Sequence, residues 1–470
     1  MGAVAVVGGG IAGLSAAHRL KRRGIRVVVY EAGDRVGGVV RTERRDGFIA
    51  ELGPNSIAAV SPALRTLLAE LGLEGSVLPA SPAARTRYIV KKKKLLPLPT
   101  LPQDFLTTRL LSNGAKLAVF GEALIDPGEG AVDESVATFI RRRFNQEVLD
   151  YIANPFVAGI YAGNPEQLSV RHALPRLHGM ERAHGSVMKA LAGMMRASRR
   201  DARGSDGDAG AGISSFRSGL QELPDALARE LHAEIRLRAS VTQVRAGPKG
   251  WTVGAAFQPT ELYDGVIYAA PAHCVDDVDL AFPGGDRLKT LASITHPPVA
   301  VLALGFRRDD VGHPLDGLGF LVPEVERVRH VLGVIFSSSL FPGRAPDGQV
   351  LLTAFIGGVR NPDLANADLP TITARVLDDL RVLLGASGEP TFREFQLWPK
   401  AIPQYDLTYG RFKDIMDEAE RRNPGFALAG SYRDGVSIAE TIASGEAAAE
   451  RVAAGIAAGG GGGGGGAADA

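Results

Sequence analysis

The chain has 470 residues, too many for one simple core and enough for two or three domains. Its 53 lysines and arginines balance 52 aspartates and glutamates, so no overall field favours nucleic acid as a partner. A single cysteine, Cys274, excludes an intramolecular disulfide and a cysteine metal cluster, and the nine histidines show no metal-binding spacing.

A buried strand, a glycine-rich turn and a helix are predicted at the start. Residues 4–7 are apolar and lead into a G-x-G-x-x-G pattern, formed by Gly8, Gly9, Gly10, Ile11, Ala12 and Gly13. The first glycine allows a tight turn, the second lets the backbone approach a pyrophosphate, and the third lets the helix pack close to the strand. The helix would then aim its unpaired N–H groups at the phosphates.

A second predicted strand, at residues 27–30, ends in a carboxylate. Glu31 lies 18 residues after Gly13, where it can accept hydrogen bonds from the ribose hydroxyls of an adenosine, and Ala32 follows it. A lone glycine motif is weak support, but here two strands, a helix and an acid accompany it at the correct spacing. The pattern therefore predicts a Rossmann-like fold that binds a dinucleotide.

A second glycine pair indicates which dinucleotide. The residues of this pair and of a later glycine-containing loop are Arg35, Gly37, Gly38, Val39, Gly53, Pro54, Asn55 and Ser56. Nicotinamide dehydrogenases do not need a Gly-Gly at this offset, whereas the pattern resembles the R-x-G-G signature of flavoproteins of the amine oxidase and phytoene desaturase superfamily. The resemblance implies one non-covalent FAD per chain, with the later loop near its isoalloxazine ring.

The middle of the chain predicts helices. Residues 85–200 are expected to be mainly helical, with amphipathic segments at 106–124 and 132–153, and residues 201–212 form a polar, glycine-rich linker. Four lysines at 91–94 precede apolar residues. Such a run can bind an anionic lipid surface or form a solvated hairpin turn, and the sequence leaves both interpretations open.

Short strands then return the chain to the cofactor fold. A helix from Leu220 precedes them, and the segment ends at Ala270 before Pro271. The predicted strands lie at residues 235–237, 240–244, 251–253, 263–270, 299–306, 319–322, 331–336 and 350–356. A helix at 369–384 and a final strand at 426–430 follow them.

The last predicted helix carries a function of its own. Its first turn contains Val436, Ser437 and Ile438, and its alanine-rich body extends to about residue 456. A helix N-terminus offers free N–H groups and partial positive charge. Reduced flavin is anionic around N1 and the C2 carbonyl, so this end would stabilise it. The alternative is an ordinary surface helix.

Further motifs resemble the oxygen-dependent protoporphyrinogen oxidases over nearly the whole chain. The matching segments are 154–165, Leu168-Ser169, 181–186, 319–323, 335–346, 354–358, 402–405 and 428–436. The resemblance implies an oxygen-dependent FAD oxidoreductase acting on CH–CH groups in haem biosynthesis. It would oxidise protoporphyrinogen IX in three two-electron steps, each sending a hydride to flavin N5, and O2 would reoxidise the flavin to give H2O2.

Three alternatives remain open at this point. A coproporphyrinogen III oxidase of the same fold would differ in how many propionates its pocket pairs. A flavin amine oxidase or carotenoid desaturase is a more distant enzyme, and the former should show an aromatic cage, whereas only 6% of the residues are aromatic. A flavin-holding scaffold without turnover is the candidate outside the enzymes.

The resemblance also assigns site residues. Arg87 matches an arginine that pairs with a substrate propionate, and Gly159 matches a glycine whose carbonyl faces the pyrrole N–H groups. Leu321 and Ile335 would lie on one side of the macrocycle and Phe355 on the other. No catalytic side chain is implied, since flavin N5 receives the hydride. The other implied FAD contacts are Val241, Ala270, Trp398 and Gly430.

The predicted elements compose an α/β fold in three parts. We expect a discontinuous Rossmann-like FAD-binding domain, a strand-rich substrate domain, and a helical domain able to dock on a membrane. Their expected ranges are 1–75, 205–285 and 395–457 for FAD, 286–394 with adjoining segments for substrate, 85–200 for the helices, and 458–470 for a disordered glycine-rich tail.

The cellular location is predicted from targeting and membrane-spanning segments that are not seen in the sequence, and the binding partners are implied by the resemblance. No cleavable leader and no run of 18 apolar residues is seen, and Val6 stands where a myristoylation motif needs Ser or Thr. We therefore expect a cytoplasmic protein, with peripheral attachment to the cytoplasmic membrane face as an option. The expected partners are the porphyrinogen and O2, with an anionic membrane, ferrochelatase and a homodimer as further options, and no nucleic acid or metal.

Overall fold

A computed structural model describes residues 2–58, 62–99, 102–128, 133–201, 212–326 and 329–460. The strands in these ranges are β1 (Ala3–Val7), β2 (Arg26–Tyr30), β3 (Thr42–Arg45), β4 (Phe48–Glu51), β5 (Ile57–Ala58), β6 (Val77–Pro79), β7 (Thr86–Lys91), β8 (Lys94–Pro97), β9 (Ile213–Phe216), β10 (Ile235–Arg236), β11 (Val241–Gly247), β12 (Gly250–Ala255), β13 (Glu261–Tyr263), β14 (Gly265–Tyr268), β15 (Asp279–Ala281), β16 (Val299–Arg307), β17 (Gly317–Leu321), β18 (Val331–Ile335), β19 (Gln349–Gly357), β20 (Phe392–Trp398) and β21 (Phe426–Leu428).

Helices connect the strands and form a region of their own. They are α1 (Ile11–Arg22), α2 (Pro62–Glu70), α3 (Pro102–Thr107), α4 (Asn113–Gly121), α5 (Val136–Arg143), α6 (Gln146–Val148), α7 (Asn154–Tyr161), α8 (Val170–Ala173), α9 (Pro175–His184), α10 (Val187–Asp201), α11 (Glu222–Glu230), α12 (Gly285–Leu288), α13 (Ser337–Leu340), α14 (Pro362–Ala365), α15 (Leu369–Leu384), α16 (Tyr409–Arg422), α17 (Ser431–Asp434) and α18 (Ile438–Gly460).

A parallel sheet gathers strands from distant parts of the chain. Its five strands have the order β10-β2-β1-β14-β21, and every pair is parallel. Its central strands are buried on both faces, as their nearly continuous apolar sequences predict. Helices α1 and α18 pack together beside it, so closely that a Cβ at Gly445 would overlap the carbonyl oxygen of Ala12. All the strands therefore end at one edge, which we call the cofactor edge.

A larger mixed sheet has the order β20-β16-β19-β18-β17-β7-β8. Helix α15 covers one of its faces with Ile372, Val376 and Leu380, which are fully buried against Leu302 and Phe306. Each such side chain contributes about 1.5–3 kcal/mol when it leaves water. The helix predicted at residues 369–384 is confirmed, because α15 has these bounds.

The start of the predicted helical region is wrong. Residues 86–97 form a β hairpin, β7 and β8, which extends the mixed sheet. Its turn is Lys92-Lys93, with φ of 51° and 62°. Two-residue hairpin turns of this kind usually contain Asn or Gly, so the lysines are only a weak sequence signal for this turn. The hairpin turn is confirmed, and binding of the same lysines to an anionic lipid surface stays a prediction.

The rest of that region is helical, from α3 to α10. Its interior contains a fully buried ion pair between Arg143 and Glu122. Ser186 and the N–H groups of Val187 and Met188 also donate to the Glu122 carboxylate. In the part of the chain described here, no helix is long and apolar enough to cross a bilayer.

The predicted glycine-rich linker at 201–212 and the predicted disordered tail at 458–470 lie mostly outside the described residues, and the first residues of the tail differ from the prediction. Most of the linker, residues 202–211, lies outside the described residues, as do 461–470 of the predicted tail. Helix α18 continues through Gly460, so the expected disorder from residue 458 is wrong for the first residues of that tail. Alanine at 457 and 458 continues the helix to this point.

Candidate functional site

The first glycine motif lies at the cofactor edge between β1 and α1. Gly8 has a φ of 106°, and a Cβ there would lie 2.7 Å from the backbone nitrogen of Ala270. A Cβ at Gly13 would overlap the carbonyl oxygen of Gly8. By contrast, no described atom lies within 4 Å of the Cβ position of Gly10. Gly8 and Gly13 thus allow close packing, while Gly10 leaves open space before the helix N-terminus.

The predicted ribose carboxylate stands beside this turn. Glu31 Oε2 accepts the N–H of Gly9 at 2.7 Å, and its Oε1 accepts the N–H of Gly33 at 2.7 Å. Its backbone is held by Arg236 and Ala239, which precede Val241 on β11. Because each carboxylate oxygen has a second lone pair, Glu31 can still accept hydrogen bonds from a ligand.

The second glycine pair packs on the first. Gly37 donates its N–H to the carbonyl of Gly9 at 2.9 Å, and a Cβ at Gly38 would lie 3.4 Å from Gly10 Cα. Arg35 donates to the carbonyls of residues 36, 38 and 40. Burial lowers the pKa of the Arg35 guanidinium. In the structure Arg35 therefore shapes this loop.

The later loop joins the cofactor edge to the mixed sheet. A Cβ at Gly53 would overlap the carbonyl oxygen of Val39, and Asn55 Nδ2 donates to the Gly53 carbonyl at 3.0 Å. Trp398, at the end of β20, donates from Nε1 to the carbonyl of Leu52 at 2.7 Å. Pro54 and Ser56 are half-buried in the same loop.

The start of α18 differs from the prediction in one respect. The helix begins at Ile438, so Val436 and Ser437 precede it. The N–H of Ser437 is already donated to Glu440 Oε2 at 3.1 Å. This is a capping box, whose S-x-x-E pattern is visible in the sequence and was not used. Nearby, Gly430 donates its N–H to Ser444 Oγ at 3.0 Å.

An FAD fits these residues. Helices α1 and α18 run parallel, since Ala12 meets Gly445 while Arg19, farther along α1, pairs with Glu450. Both N-termini therefore face the cofactor edge. The open space at Gly10 and the N–H groups at the start of α1 suit a pyrophosphate, and Glu31 suits a ribose. The N-terminus of α18 lies farther along the cofactor edge, where it suits the remaining part of a long dinucleotide.

The four side chains predicted to touch the substrate share one face of the mixed sheet, which we call the Phe355 face. Across the strands, Gly319 pairs with Arg87 on one side and Ile335 on the other. In the next row, Gly333 pairs with Leu321 and Phe355. Since paired residues point the same way, all four lie on one side of the sheet.

The Phe355 face is less buried than its reverse. Leu321, Ile335 and Phe355 are half-buried, whereas Phe320 and Val334, on the opposite side, belong to the core beneath α15. Leu321 and Phe355 are two strands apart, about 10 Å between backbones, with the side-chain-free Gly333 between them. Leu321 Cδ2 lies over this glycine, 2.9 Å from the position of a Gly333 Cβ, so the aliphatic and the aromatic side chain form one apolar surface, which we call the apolar patch.

Gly159 and Arg87 border this apolar patch. A Cβ at Gly159 would lie 3.0 Å from Leu321 Cδ2, so α7 approaches the sheet at this residue. A π-helical turn at Leu149–Ala153 precedes Pro155, which has no N–H to donate. Arg87 is exposed, and within the described residues its guanidinium makes no hydrogen bond or ion pair.

The whole chain was then compared with known proteins. Residues 11–453 match the family model of the flavin containing amine oxidoreductases. The chain belongs to this family. It is therefore a flavin-dependent oxidoreductase, and FAD is its cofactor.

Several relatives of this flavoenzyme are similar over nearly their full length. Protoporphyrinogen oxidase 2 of Arabidopsis thaliana is 36% identical, over 96% of this chain and 93% of its own. Coproporphyrinogen III oxidase of Propionibacterium freudenreichii is 32% identical, over 95% of this chain and 90% of its own. The crystal structure of a candidate protoporphyrinogen oxidase from Exiguobacterium sp. 255-15 gives a TM-score of 0.80 at 25% identity, covering 96% of this chain and 98% of its own.

Two further groups of this flavoenzyme escaped the sequence reasoning. Arg41 donates to Gln396 Oε1 at 2.7 Å, and Gln396 lies in the same row of the Phe355 face as Val301 and Phe355. These partners are 355 residues apart, so no local pattern signals them. Arg41 brings a second guanidinium to the junction of the cofactor edge and the Phe355 face.

The other missed group fixes α7 against the sheet. Asn154 Oδ1 accepts the N–H of Glu324 at 2.9 Å and Arg360 Nη2 at 3.2 Å. Arg360 Nη1 donates to the carbonyl of Val322 at 2.7 Å, and burial lowers the pKa of this guanidinium. The network sets the distance between the helix that carries Gly159 and the strand that carries Leu321.

Proposed function

We propose that this flavoenzyme oxidises protoporphyrinogen IX to protoporphyrin IX in haem biosynthesis, in three two-electron steps. Bound FAD would supply the chemistry, taking a hydride at N5 and passing the electrons to O2 to give H2O2. The names of the relatives support a porphyrinogen as the substrate class. The protein's own residues would bind the macrocycle and hold it against the flavin.

The observation that carries the proposal is the composition of the Phe355 face. A porphyrinogen is a broad, largely apolar ring with carboxylates on one edge. The apolar patch of Leu321 and Phe355 suits such a ring, and Arg87 lies on the same face with a guanidinium that is unpaired within the described residues. A guanidinium binds a carboxylate with two parallel hydrogen bonds, which fixes orientation as well as affinity.

Gly159 suits the role proposed for it. It lies in the last turn of α7, where helix carbonyls lack intrahelical partners. Within the described residues its carbonyl accepts no hydrogen bond from the following loop, and its own position is exposed. We therefore propose that this carbonyl accepts pyrrole N–H groups of a ring held beside Leu321.

Coproporphyrinogen III is the second candidate substrate. It carries four propionates, so it needs cations at more than one edge. Arg41 supplies a guanidinium near Gln396, on the side of the Phe355 face away from Arg87, and its partner there is a neutral amide. Similarity to the Propionibacterium enzyme also favours this candidate.

Porphyrin fluorescence in air tests both candidates. Purified yellow protein is given protoporphyrinogen IX and coproporphyrinogen III separately, and the initial rates are compared at several concentrations. A higher kcat/KM with protoporphyrinogen IX supports the proposal, and a higher value with coproporphyrinogen III moves the enzyme to the second candidate. No flavin-dependent turnover with either substrate rejects both.

We also propose that the protein attaches peripherally to an anionic membrane. Lys92, Lys93 and Lys94 are exposed at the hairpin turn, and Leu106 and Leu124 are 61% and 88% exposed. Each lysine near an anionic surface contributes about 1 kcal/mol. Co-sedimentation with phosphatidylserine vesicles should fall when the three lysines become Gln, while Lys249→Gln should bind as the wild type does. Unchanged binding rejects the role of the lysines.

A further inference from the structure

The first turn of α18 carries a carboxylate that the function described so far does not use. Glu440 lies three residues after Ser437 and caps the helix: its Oε2 accepts the Ser437 N–H at 3.1 Å and the Ser437 hydroxyl at 2.7 Å. In return, Ser437 Oγ accepts the Glu440 N–H at 3.2 Å. The carboxylate is therefore held at the helix N-terminus.

No described basic side chain neutralises this carboxylate. Among the described residues, Glu440 has no ion pair, whereas the neighbouring Asp434 has Lys413 Nζ 3.6 Å from its Oδ1. A negative charge at a helix N-terminus cancels the partial positive charge there. The end of α18 that faces the cofactor edge is thus less positive than the helix alone would make it.

The position of Glu440 places it beside the redox end of the cofactor. Because α1 and α18 run parallel, both helices start at the cofactor edge, and Gly445 of α18 lies level with Ala12 of α1. Ser437 is eight residues before Gly445, which corresponds to about 12 Å along a helix. An extended FAD whose pyrophosphate lies at the N-terminus of α1 would reach the start of α18 with its flavin end.

The charge of Glu440 also acts on the end of α7. Burial raises the pKa of Tyr161, and the Glu440 carboxylate raises it further. Tyr161 ends α7, the helix in which Gly159 abuts Leu321. Glu440 therefore acts electrostatically on the buried end of α7.

We propose that Glu440 lowers the electron affinity of the bound FAD by opposing the positive end of α18. Reduction adds negative charge around N1 and the C2 carbonyl of the flavin, and an uncompensated carboxylate nearby disfavours it. The proposal rests on FAD lying along the cofactor edge. It is independent of which porphyrinogen the enzyme oxidises.

Redox titration of the holoenzyme tests this proposal. In Glu440→Gln the amide can still accept the Ser437 hydrogen bonds, so the cap remains and the charge is lost. Dithionite reduces the flavin, by two electrons per FAD, in the same solution as a redox dye of known potential. The absorbance of the flavin and that of the dye are both recorded. At a fixed potential the ratio of reduced to oxidised flavin should rise about fivefold over the wild type.

Three further variants separate charge from structure. Glu446→Gln makes the same change farther along α18 and should leave the ratio at the wild-type value. Ser437→Ala keeps the carboxylate but removes the capping hydroxyl, so the melting temperature should fall without a rise in the ratio. Glu440→Ala removes both charge and cap, and it should raise the ratio as Glu440→Gln does.

Two outcomes contradict the proposal. One is a wild-type ratio in both Glu440 variants with their flavin spectra intact, and the other is loss of FAD from both. The fluorescence assay with the two porphyrinogens is run on the wild-type protein, so neither result changes its outcome. Failure of this proposal is therefore distinguishable from failure of the proposed function.

Discussion

The cofactor edge and the Phe355 face are built in different ways. At the edge the backbone forms the binding surface, and glycines stand where a Cβ would strike Ala270 or the carbonyl oxygens of Gly8 and Val39. On the Phe355 face, side chains from β7, β17, β18 and β19 form the surface, and the backbone only sets their spacing. Changes at the edge should therefore abolish cofactor binding, while changes on the face should alter substrate binding and leave the flavin in place.

The largest effect is expected at Gly10. Its φ is −70°, which any residue adopts, and no described atom lies within 4 Å of a Cβ there. Gly10→Val should therefore fold normally and fill the space of the pyrophosphate. We expect complete loss of flavin absorbance near 450 nm with a far-UV spectrum unchanged. Gly179→Ala, also without neighbours at its Cβ, is the matched control and should remain yellow.

A large effect on substrate binding is expected at Arg87. Arg87→Ala removes a charge-assisted pair of roughly 1.5–3 kcal/mol, so KM should rise roughly tenfold to a hundredfold. The flavin spectrum should not change. Arg85→Ala, two residues earlier and also exposed, serves as the control in the same steady-state assay. An unchanged KM in Arg87→Ala would remove this residue from the site.

The two sides of β17–β19 should respond in opposite ways. Phe320 is 2% exposed on the side packed under α15, so Phe320→Ala should lower the free energy of unfolding by about 3–5 kcal/mol. The KM of this variant should stay at the wild-type value. Phe355→Ala should cost less stability and lower kcat/KM. Denaturant titration and steady-state kinetics on both variants check this. The assignment of the Phe355 face fails if Phe355→Ala keeps the wild-type kcat/KM.

The smallest effect concerns the helical region, outside both surfaces. Burial alone would raise the pKa of Glu122, but hydrogen bonds from Ser186, Met188, Arg143 and Val187 outweigh it and lower the pKa. Its stabilisation is therefore present above the unfolded pKa of about 4.3 and is lost as pH falls through the lower folded value. Urea unfolding between neutral pH and about pH 3 should show this acid loss in the wild type, and less of it in Glu122→Gln.

The cofactor edge was more accessible to sequence reasoning than the Phe355 face. The glycines and Glu31 follow one another at fixed spacing within the first β-α-β unit, so their contacts are local. Helix α15 was also predicted with its bounds, and in the structure it runs from an Asp368 cap to Gly385 with its apolar residues at helical spacing. The exception at the edge is the cap formed by Ser437 and Glu440, which its own local pattern would have revealed.

On the Phe355 face the necessary information is not local. The side chains were named only because the chain resembles a known family, and the pairing of Gly319 with Arg87 joins β17 to β7, which lie far apart in the sequence. The contacts of Arg41 with Gln396 and of Asn154 with Arg360 likewise depend on the tertiary fold. At residues 86–97 the turn was one of two interpretations left open, but the strands on either side of it were assigned to the helical region, because their pairing with β17 is not local.

Anaerobic mixing tests the central claim most directly, namely that FAD at the cofactor edge takes electrons from a porphyrinogen on the Phe355 face. Oxidised holoenzyme is mixed with protoporphyrinogen IX in the absence of O2, and absorbance near 450 nm is followed. The account predicts that the flavin bleaches, more slowly at low substrate in Arg87→Ala, and that admitting air restores the absorbance. A flavin that stays oxidised with both protoporphyrinogen IX and coproporphyrinogen III would contradict it.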